Sequence, residues 1–205
     1  MSESPKPRGR PRTLDRQRTI QVAMESYWRE GLHALSLNEV CRRTGVSKPG
    51  LYREFGGEDG LMDAALTHYA TTVLEPVLAM LSEDRPFQDT LDSLVDFATR
   101  EADPERPAGC LFAKMRGVRW RLGPATSDHV DELRKGAVEA YSAWLDRSVR
   151  QGQIELSVPV EVAATYVDAQ LTMLATQAAA GEDRERGRAH ATLAFASLTQ
   201  RLGVN

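Results

Sequence analysis

The sequence predicts an all-α protein in which three short N-terminal helices precede a larger C-terminal helical bundle, with about nine helices in all. Three observations support this class. Apolar residues recur at the three- and four-residue spacing of amphipathic helices along most of the 205 residues. Glycine and proline separate these stretches, as they do at helix ends. No convincing alternation of apolar and polar residues, the pattern of a half-buried strand, is present.

The chain begins with a segment rich in Pro, Gly and Arg, residues 1–12, that has almost no large apolar side chain. We expect this segment to be a disordered basic arm. A helical pattern follows from Leu14 and ends at Gly31, a residue type that favours the left-handed backbone at a helix C-terminus. The apolar stripe of this first helix consists of Ile20, Ala23, Met24 and Tyr27.

Two short helices are predicted next. Ser36 and Glu39 have the spacing of a capping box, which begins a second helix that Gly45 ends. Ser47 is the N-cap of a third helix, which has a proline in its first turn, where proline is tolerated. Gly56 and the glycine after it end this helix.

The C-terminal part is predicted to contain six further helical stretches. Pro76 is expected to kink or break the first of them, because proline lacks an N–H group and clashes with the preceding turn. Pro104 and Pro107 mark a loop, and Gly181 separates the last two helices. The stretches cover residues 59–75 with a continuation at 77–81, 87–100, 111–122, 126–151, 159–174 and 184–202.

Charge is distributed unevenly along the chain. The net charge of −3 argues by itself against a nucleic-acid partner. Residues 1–56, however, carry eleven Lys and Arg against six Asp and Glu, a net charge of +5. The remainder carries fifteen against twenty-three, a net charge of −8. A basic N-terminal part on an acidic body indicates two separate tasks.

Several classes of protein are disfavoured by what the sequence lacks. No apolar run approaches the roughly 18 residues of a membrane span, so we expect no membrane partner, and the N-terminus has no apolar core of a secretory signal. Two cysteines do not make a disulfide framework, which favours the cytoplasm. The four histidines lack ligand spacing, and there is no phosphate loop or Ser/His/Asp signature. We therefore expect no metal, no cofactor and no enzymatic activity.

Residues 36–55 carry the most specific signal. Two short helices joined by a Gly-containing turn form a helix-turn-helix, whose second helix enters the major groove of double-stranded DNA. Ser47 and the free N–H groups behind it suit a phosphate. Pro49 and Gly50 are small and permit close approach of the backbone, whereas Tyr52 and Arg53 reach phosphates or base edges. The candidate contacts here are Ser36, Ser47, Lys48, Pro49, Gly50, Tyr52 and Arg53. A plain helical hairpin with a solvated polar face is the alternative.

The basic arm adds three more candidate DNA contacts, Arg8, Arg10 and Arg12. These arginines alternate with glycine and proline, and such extended arms enter the minor groove beside a recognition helix. A solvated tail is the alternative for this segment.

The stretch from Gly9 to about Leu66 resembles the DNA-binding domain of the TetR family of transcriptional regulators, over about the first third of the chain. The matching positions are Ala23, Tyr27 and Gly31 in the first helix, Thr44-Gly45-Val46-Ser47 in the turn, and Leu51-Tyr52 with Phe55-Gly56 in the third helix. The resemblance implies a homodimer whose N-terminal helices bind a pseudo-palindromic operator and whose bundle binds a ligand and dimerises. The domains are then the arm (1–12), the helix-turn-helix domain (13–58) and the ligand-binding and dimerisation domain (59–205).

Two positions depart from the family pattern. Members usually carry Ser-Lys before the fourth helix, with the lysine near a DNA phosphate. This chain has Gly57-Glu58 there, and the carboxylate of Glu58 would repel phosphate. Cys41 replaces the usual alanine, and we expect it to be a buried small hydrophobe.

Members of the family usually act as repressors that release DNA when a small molecule enters the bundle, which requires that the ligand favour the non-binding conformation. The candidate lining residues are Cys110 and the aromatic and Met positions of the middle helices, for each of which ordinary core packing is the alternative. They are Phe112, Met115, Trp120, Tyr141, Trp144, Tyr166 and Met173. This region also contains four basic residues. We expect most of them to lie on a solvated face or to form ion pairs. One that turned inward would bind a carboxylate ligand. They are Lys114, Arg116, Arg119 and Arg121.

The sequence Gly109-Cys110-Leu111-Phe112 resembles a motif that opens the sixth helix in a subgroup of the family. In some of those members the cysteine senses electrophiles or oxidants. A position near a helix N-terminus lowers a thiol pKa, which makes a reactive Cys110 a hypothesis. A buried residue retained for packing is the alternative.

The last two helices are the expected dimerisation element because their small apolar residues suit close helix packing. Those residues are Ala163, Ala164, Val167, Leu171, Leu174, Ala178, Leu193 and Ala196. Packing of the same faces within one subunit is the alternative. Together these features predict a cytoplasmic, nucleoid-associated bacterial repressor that an unknown small-molecule or thiol-reactive effector releases from its operator. The alternatives are a helical DNA-binding protein without an effector and, with no catalytic constellation to support it, a helical enzyme.

Overall fold

The computed structural model describes residues 14–32, 36–104 and 106–200, and these are built almost entirely of helices. The predicted all-α class is confirmed. The helices are α1 (Arg16–Glu30), α2 (Leu37–Thr44), α3 (Lys48–Phe55), α4 (Glu58–Tyr69), α5 (Glu75–Ala79), α6 (Phe87–Ala98), α7 (Leu111–Gly117), α8 (Pro124–Arg150), α9 (Val160–Ala179) and α10 (Arg184–Ala196). One antiparallel pair of two-residue strands, β1 (Glu155–Leu156) and β2 (Thr199–Gln200), was not predicted, because two residues are too few to show an alternating pattern.

In the first three helices (the three-helix unit, α1–α3), α2 and α3 begin and end as the sequence predicts. α1 ends at the predicted Gly31 but begins at Arg16, after an Asp15 cap that was not predicted. Ser36 and Ser47 each accept a hydrogen bond from the backbone N–H three residues further on, at 3.3 and 3.2 Å. Gly45 and Gly56 end α2 and α3 with φ of 70° and 75°, which a glycine adopts without steric cost. The capping box is only half formed, because the Glu39 carboxylate accepts hydrogen bonds from two arginines of its own helix instead.

α4 and α5 are joined by a π-helical turn, Ala70–Leu74, into one connecting helix that spans residues 58–79. In a regular α-helix the ring of Pro76 would clash with the carbonyl group of Thr72, and the wider turn accommodates it. The backbone at Leu74 and Glu75 remains helical. Pro76 thus distorts the helix without breaking it. When the connecting helix is counted once, the described residues contain nine helices.

A contiguous apolar core extends from α1 to α10 and joins the three-helix unit to the remaining helices (the body, α4–α10). The ring of Tyr69, near the middle of the connecting helix, packs edge-on against Trp28 of α1, with the ring centroids 4.9 Å apart. Within the body, Phe87 stacks on Trp144 at 4.7 Å and links α6 to α8. The connecting helix therefore shares side-chain packing with both parts of the molecule.

Asp59 and Asp63 on α4 attach the connecting helix to the start of α8. The Asp59 carboxylate accepts hydrogen bonds from the backbone N–H groups of Ala125 and Thr126, at 3.0 and 3.1 Å, and from the Thr126 hydroxyl at 2.6 Å. One turn further along both helices, Asp63 Oδ1 lies 2.6 Å from His129 Nδ1. A carboxylate of one helix thus caps the N-terminus of another, where the N–H groups and the helix dipole favour negative charge.

Replacement of Asp59 by alanine is expected to lower the free energy of unfolding by about 1–2 kcal/mol, the usual cost of losing an N-cap acceptor. Urea unfolding followed by circular dichroism measures this change. Asp128→Ala is the matched control, because it removes an exposed carboxylate from the first turns of the same helix α8. Equal destabilisation by the two substitutions would show that charge near the helix start, rather than the cap, is what matters.

Candidate nucleic-acid interface and internal cavity

The predicted contact residues of α3 lie together on one exposed surface. Ser47, Lys48, Pro49, Tyr52 and Arg53 are all exposed. The side chains of Leu51 and Phe55, on the opposite face of the same helix, are buried and fix α3 against the core. The short helix therefore presents its N-terminus and one polar face to solvent. Ser36, at the start of α2, is also exposed.

Gly50 is the exception among the predicted contacts of α3, because it is buried. A Cβ atom at this position would lie 3.1 Å from the Ser47 hydroxyl oxygen and 3.6 Å from a methyl group of Val46. The small size of Gly50 thus leaves room for the cap of its own helix, and it does not bring backbone onto the exposed face.

Tyr52 is the large aromatic residue on this surface, with 49% of its side chain exposed. Its ring lies over Gly57, where a Cβ atom would be 3.5 Å from the ring edge. Gly57 has a φ of 133°, which also favours glycine. The glycine that breaks the family pattern before α4 therefore provides a flat support for the tyrosine ring.

The two arginines near the end of α2 have different environments. Arg43 donates to Ser26 and Glu30 of α1 and to Glu39, so it ties α2 to α1. Arg42 pairs with Glu39 but remains 73% exposed. These two arginine partners lower the pKa of Glu39 to about 2.

Arg18 and Arg42, which were not among the predicted contacts, line a surface pocket beside the turn between α2 and α3. The pocket also includes Asp15 and Gly45. Both arginines are exposed and extend the basic surface of α3 toward the N-terminus of α1. Their separation in the sequence, with no shared motif, hid this proximity.

Two other predictions concern the edges of this surface. The predicted contacts Arg8, Arg10 and Arg12, like the rest of the basic arm, lie outside the described residues. Glu58 is exposed and begins α4. The pKa of the buried Tyr27 phenol is raised, mainly by burial and also by the charge of Glu58.

The body contains a partly open cavity of about 70 Å³ between the connecting helix and helices α6 to α9. Its wall is largely apolar, with polar groups from Cys110, Arg116, Tyr141, Asp168 and Thr172. The apolar wall consists of Leu74, Val77, Leu78, Leu94, Phe97, Ala98, Phe112, Ala113, Leu133, Ala137, Leu171 and Ala175. Leu74, Val77 and Leu78 are part of the connecting helix, so the same helix that packs on the three-helix unit also lines the cavity.

The polar part of the cavity wall is organised by a buried ion pair. Arg116 donates to both carboxylate oxygens of Asp168 at 2.8 Å and to the Thr172 hydroxyl at 2.7 Å. Only 5% of the Asp168 side chain and 17% of the Arg116 side chain are exposed. The Arg134 Nε lies 3.4 Å from the same carboxylate. The pKa of the Tyr141 hydroxyl is raised, mainly by burial and then by the charge of Asp168.

The other basic side chains of this region are also engaged. Arg119 pairs with Asp131, as expected for an interhelix ion pair, and Arg121 lies against the ring of Trp120. Lys114 donates to a backbone carbonyl group of α1. The arginine that is turned inward, Arg116, already has a protein carboxylate as its partner.

Three of the predicted lining residues, Cys110, Phe112 and Tyr141, are in the cavity wall. The other five lie elsewhere, because helical spacing alone does not show which core face borders a void. Met115 is fully buried and Trp144 is stacked on α6. Tyr166 packs against Phe195 and donates to the carbonyl oxygen of Ala194. Trp120 is 79% exposed and Met173 39% exposed.

Cys110 is the N-cap residue of α7, but its environment differs from the one expected of a reactive thiol. The side chain is 6% exposed, and Sγ accepts a hydrogen bond from the Tyr69 hydroxyl at 3.2 Å. Burial raises the pKa of the Cys110 thiol, and this outweighs the opposing effects of that hydrogen bond and of the N–H groups of Phe112 and Ala113. The lowered pKa expected from the helix start is therefore wrong. Cys41, expected to be buried, is half-buried, and burial raises its pKa too.

We expect Cys41 to react before Cys110 when the folded protein is treated with iodoacetamide at pH 8. Both thiols are mainly protonated, so access decides the order, and Cys41 is the more accessible. Mass spectrometry of peptides from a time course gives the two rates, and labelling in urea provides the unfolded reference. Faster labelling of Cys110 in the folded protein would contradict the protected environment described above.

All six apolar residues of α9 that were predicted to form a dimerisation face lie in the core of the subunit. They are buried within one chain, which corrects the expectation: Ala163, Ala164, Val167, Leu171, Leu174 and Ala178. A different face of α9 is exposed, and it carries Val162, Thr165, Ala169, Met173 and Thr176. On α10 the exposed small and apolar residues are Ala189, Leu193 and Ala196, with Leu193 75% exposed. Leu193 and Ala196 thus remain on an open surface.

The described residues contain neither a metal-binding cluster nor a membrane-spanning helix. No group of three or more His, Cys, Asp or Glu side chains in this part of the chain is arranged to hold a metal ion. None of the helices described is both long and apolar enough to cross a membrane.

Residues 20–65 match the sequence model of the bacterial regulatory proteins of the tetR family. Two curated relatives from Escherichia coli (strain K12) are similar to this chain. The HTH-type transcriptional repressor ComR is 31% identical over 131 residues, which cover 63% of this chain and 61% of ComR. The HTH-type transcriptional repressor BdcR is 30% identical over 136 residues, which cover 66% of this chain and 64% of BdcR. The matched region thus spans less than two thirds of either relative.

Solved structures extend the similarity to nearly the whole chain. A cysteine mutant of the TetR family transcriptional regulator CifR, complexed with 26 bp double-strand operator DNA, is 25% identical with a TM-score of 0.74. The alignment covers 93% of this chain and 100% of CifR. The reduced form of NemR from E. coli shares the fold. It is 15% identical with a TM-score of 0.79, and the alignment covers 92% of this chain and 98% of NemR.

Proposed function

Because the chain belongs to the TetR family of bacterial regulatory proteins, we propose that it is a dimeric transcriptional repressor that binds a pseudo-palindromic operator through α3. The observation that carries this proposal is the exposed surface of α3, where a capped helix N-terminus, Lys48, Tyr52 and Arg53 face solvent together. The similarity to CifR bound to operator DNA supports the same use of this surface. The proposed contacts keep Ser36, Ser47 and Pro49 and add Arg18 and Arg42, because all of these are exposed around α3.

The division of labour follows the charge distribution. We propose that residues 13–58 contact DNA, with the arm of residues 1–12 reaching the adjacent groove, and that residues 59–205 bind the effector and form the dimer. The body, with its net negative charge, is repelled by the duplex, which leaves the basic three-helix unit to face the DNA. A cytoplasmic, nucleoid-associated location belongs to the same proposal.

The effector is proposed to be a small molecule that enters the cavity between the connecting helix and α6 to α9. The wall is mostly apolar, and its buried Arg116 is already paired with Asp168, so a largely apolar molecule fits better than one that needs a free cation. The lining residues Leu74, Val77 and Leu78 lie on the helix that also contacts α8 through Asp59. A ligand that moves this helix would change the placement of the three-helix unit. A thiol-reactive effector is the second candidate, since Cys110 is part of the same wall.

The dimer is proposed to form through the exposed faces of α9 and α10, with Val162, Met173 and Leu193 as its apolar contacts. Exposed apolar side chains on two adjacent helices suit a two-fold four-helix interface. Such a dimer would place two copies of α3 on the two half-sites of an operator.

Fluorescence anisotropy with DNA from the protein's own upstream region tests the function. We expect sequence-specific binding at moderate salt that unlabelled nonspecific duplex does not compete away, together with a dimer in analytical ultracentrifugation. A folded dimer that binds the upstream DNA no better than random duplex would contradict the proposal.

A further inference from the structure

A second polar site lies outside the cavity, where the segment after α6 meets α1 and α7. The Arg100 guanidinium group rests against two aromatic rings, with its central carbon 5.3 Å from the centroid of Phe97 and 5.8 Å from that of Trp28. Its Nε and Nη2 atoms are both buried and have no hydrogen-bond partner among the described residues. Buried guanidinium nitrogens normally have acceptors, so this arrangement requires an explanation.

Two further hydrogen-bond donors lie at the same junction, and they also indicate that an acceptor is missing. Trp28 on α1 is 3% exposed, and its indole Nε1 is also buried without a partner among the residues described. Lys114 on α7 donates to the Trp28 carbonyl oxygen, and burial lowers the pKa of its amine. Within the described part of the chain, neither Arg100 nor Lys114 forms an ion pair with a carboxylate. Among the described residues, the junction therefore combines two cations and a buried indole N–H with no carboxylate partner.

The nearby side chains that the structure describes do not supply the missing acceptor. The Tyr69 hydroxyl donates to the Cys110 sulfur at 3.2 Å, so these two groups satisfy each other. The charge of Arg100 acts on both groups and opposes the increase in their pKa values that burial causes. An uncompensated cation in such surroundings costs free energy, which an anion with hydrogen-bond acceptors would recover.

The unpartnered atoms define which anion fits. Nε and Nη2 form one edge of a guanidinium group, and their two N–H bonds match the two oxygens of a carboxylate. Two other arginines of this chain use the same edge in this way. Arg42 donates through Nε and Nη2 to Glu39, and Arg119 does so to Asp131. The rings of Phe97 and Trp28, which lie against the guanidinium group, make its surroundings partly apolar.

We propose that the junction of α1, α6 and α7 is a binding site for a small-molecule carboxylate, held by the Nε and Nη2 edge of Arg100 with the Trp28 indole N–H as a further donor. The site adjoins the effector cavity, because the ring of Phe97 borders both, but the proposal does not depend on the proposed function. The bound carboxylate would connect Trp28 of the three-helix unit to Arg100 of the body. It therefore stabilises the contact between the two parts of the molecule.

Thermal unfolding of the full chain in sodium benzoate and sodium acetate, at constant ionic strength set with sodium chloride, tests the proposal. We expect a saturable rise in Tm with one or both carboxylates and none with benzamide or acetamide, their uncharged counterparts. Arg100→Gln should weaken the affinity at least tenfold, because it removes the charged fork, and Trp28→Phe should weaken it less. Arg106→Gln is the matched control, since Arg106 is exposed and six residues further along the chain.

Folding of the variants is checked without ligand. Arg100→Gln removes a half-buried cation that has no ion-pair partner among the described residues, so its Tm in sodium chloride should be at least that of the unsubstituted protein. Intrinsic tryptophan fluorescence gives a second readout, since a bound carboxylate changes the surroundings of Trp28. The absence of saturable binding by either carboxylate, or equal binding by Arg100→Gln, would overturn the proposal. If benzamide raised the Tm as much as benzoate does, the effect would come from binding to an apolar pocket instead, which would also overturn the proposal.

Discussion

Replacement of Asp168 by alanine is expected to lower the free energy of unfolding by about 3–5 kcal/mol. Asp168 accepts two hydrogen bonds from Arg116, and both side chains are largely buried between α7 and α9. The substitution leaves the guanidinium group in the apolar wall of the cavity with only the Thr172 hydroxyl as a near partner. The loss comes mainly from that uncompensated buried charge, because the net contribution of an intact buried pair is small. Urea unfolding of the two proteins measures the difference.

Two comparisons separate this cause from a general effect of removing a carboxylate. Asp131→Ala breaks the ion pair of Asp131 with Arg119. In this pair, too, two arginine nitrogens contact one carboxylate, but the Asp131 side chain is 51% exposed. We expect that substitution to change the free energy of unfolding far less than Asp168→Ala does, because water screens an exposed ion pair. The double substitution Arg116→Leu with Asp168→Leu removes both charges, and most of the lost stability should return. Similar costs for Asp168→Ala and Asp131→Ala would show that burial does not set the strength of the pair.

The sequence predicted the local features of the fold because short-range chemistry determines them. The caps at Ser36 and Ser47 and the helix ends at Gly45 and Gly56 each depend on a few neighbouring residues. The exposed position of Tyr52, opposite the buried Leu51, follows from helical periodicity in the same way. These features also locate the candidate DNA-binding surface, so that surface was accessible from the sequence.

The sequence could not predict which residues meet across the fold. Apolar spacing placed Met115, Tyr141 and Trp144 on inner faces, but only Tyr141 borders the cavity, since a void depends on how several helices fit together. The partner of Arg116 lies 52 residues away on α9. The pKa of Cys110 was predicted in the wrong direction because a helix start is visible in the sequence and burial is not.

Replacement of Tyr52 by alanine is expected to weaken operator binding by roughly 30-fold or more, given about 1–3 kcal/mol per half-site and two half-sites in the proposed dimer. Tyr52 is exposed on α3, and its ring packs over Gly57. Its hydroxyl is therefore held on the face that we propose contacts the duplex, where it can bind a phosphate. The loss should occur without unfolding, because Tyr52 is not part of the buried core. Fluorescence anisotropy at one fixed salt concentration measures the affinity.

Tyr52→Phe and Lys48→Ala then distinguish positioning from charge. Tyr52→Phe keeps the ring and removes the hydroxyl group, so any loss it causes belongs to the hydrogen bond. Lys48→Ala should weaken specific and nonspecific DNA about equally and reduce the salt slope by about 1 for each half-site, because lysine acts as a charge that displaces counterions. Trp120→Ala, which removes another exposed aromatic ring, should leave operator affinity unchanged. If Tyr52→Ala and Lys48→Ala bind the operator as tightly as the unsubstituted protein, α3 is not the helix that contacts DNA.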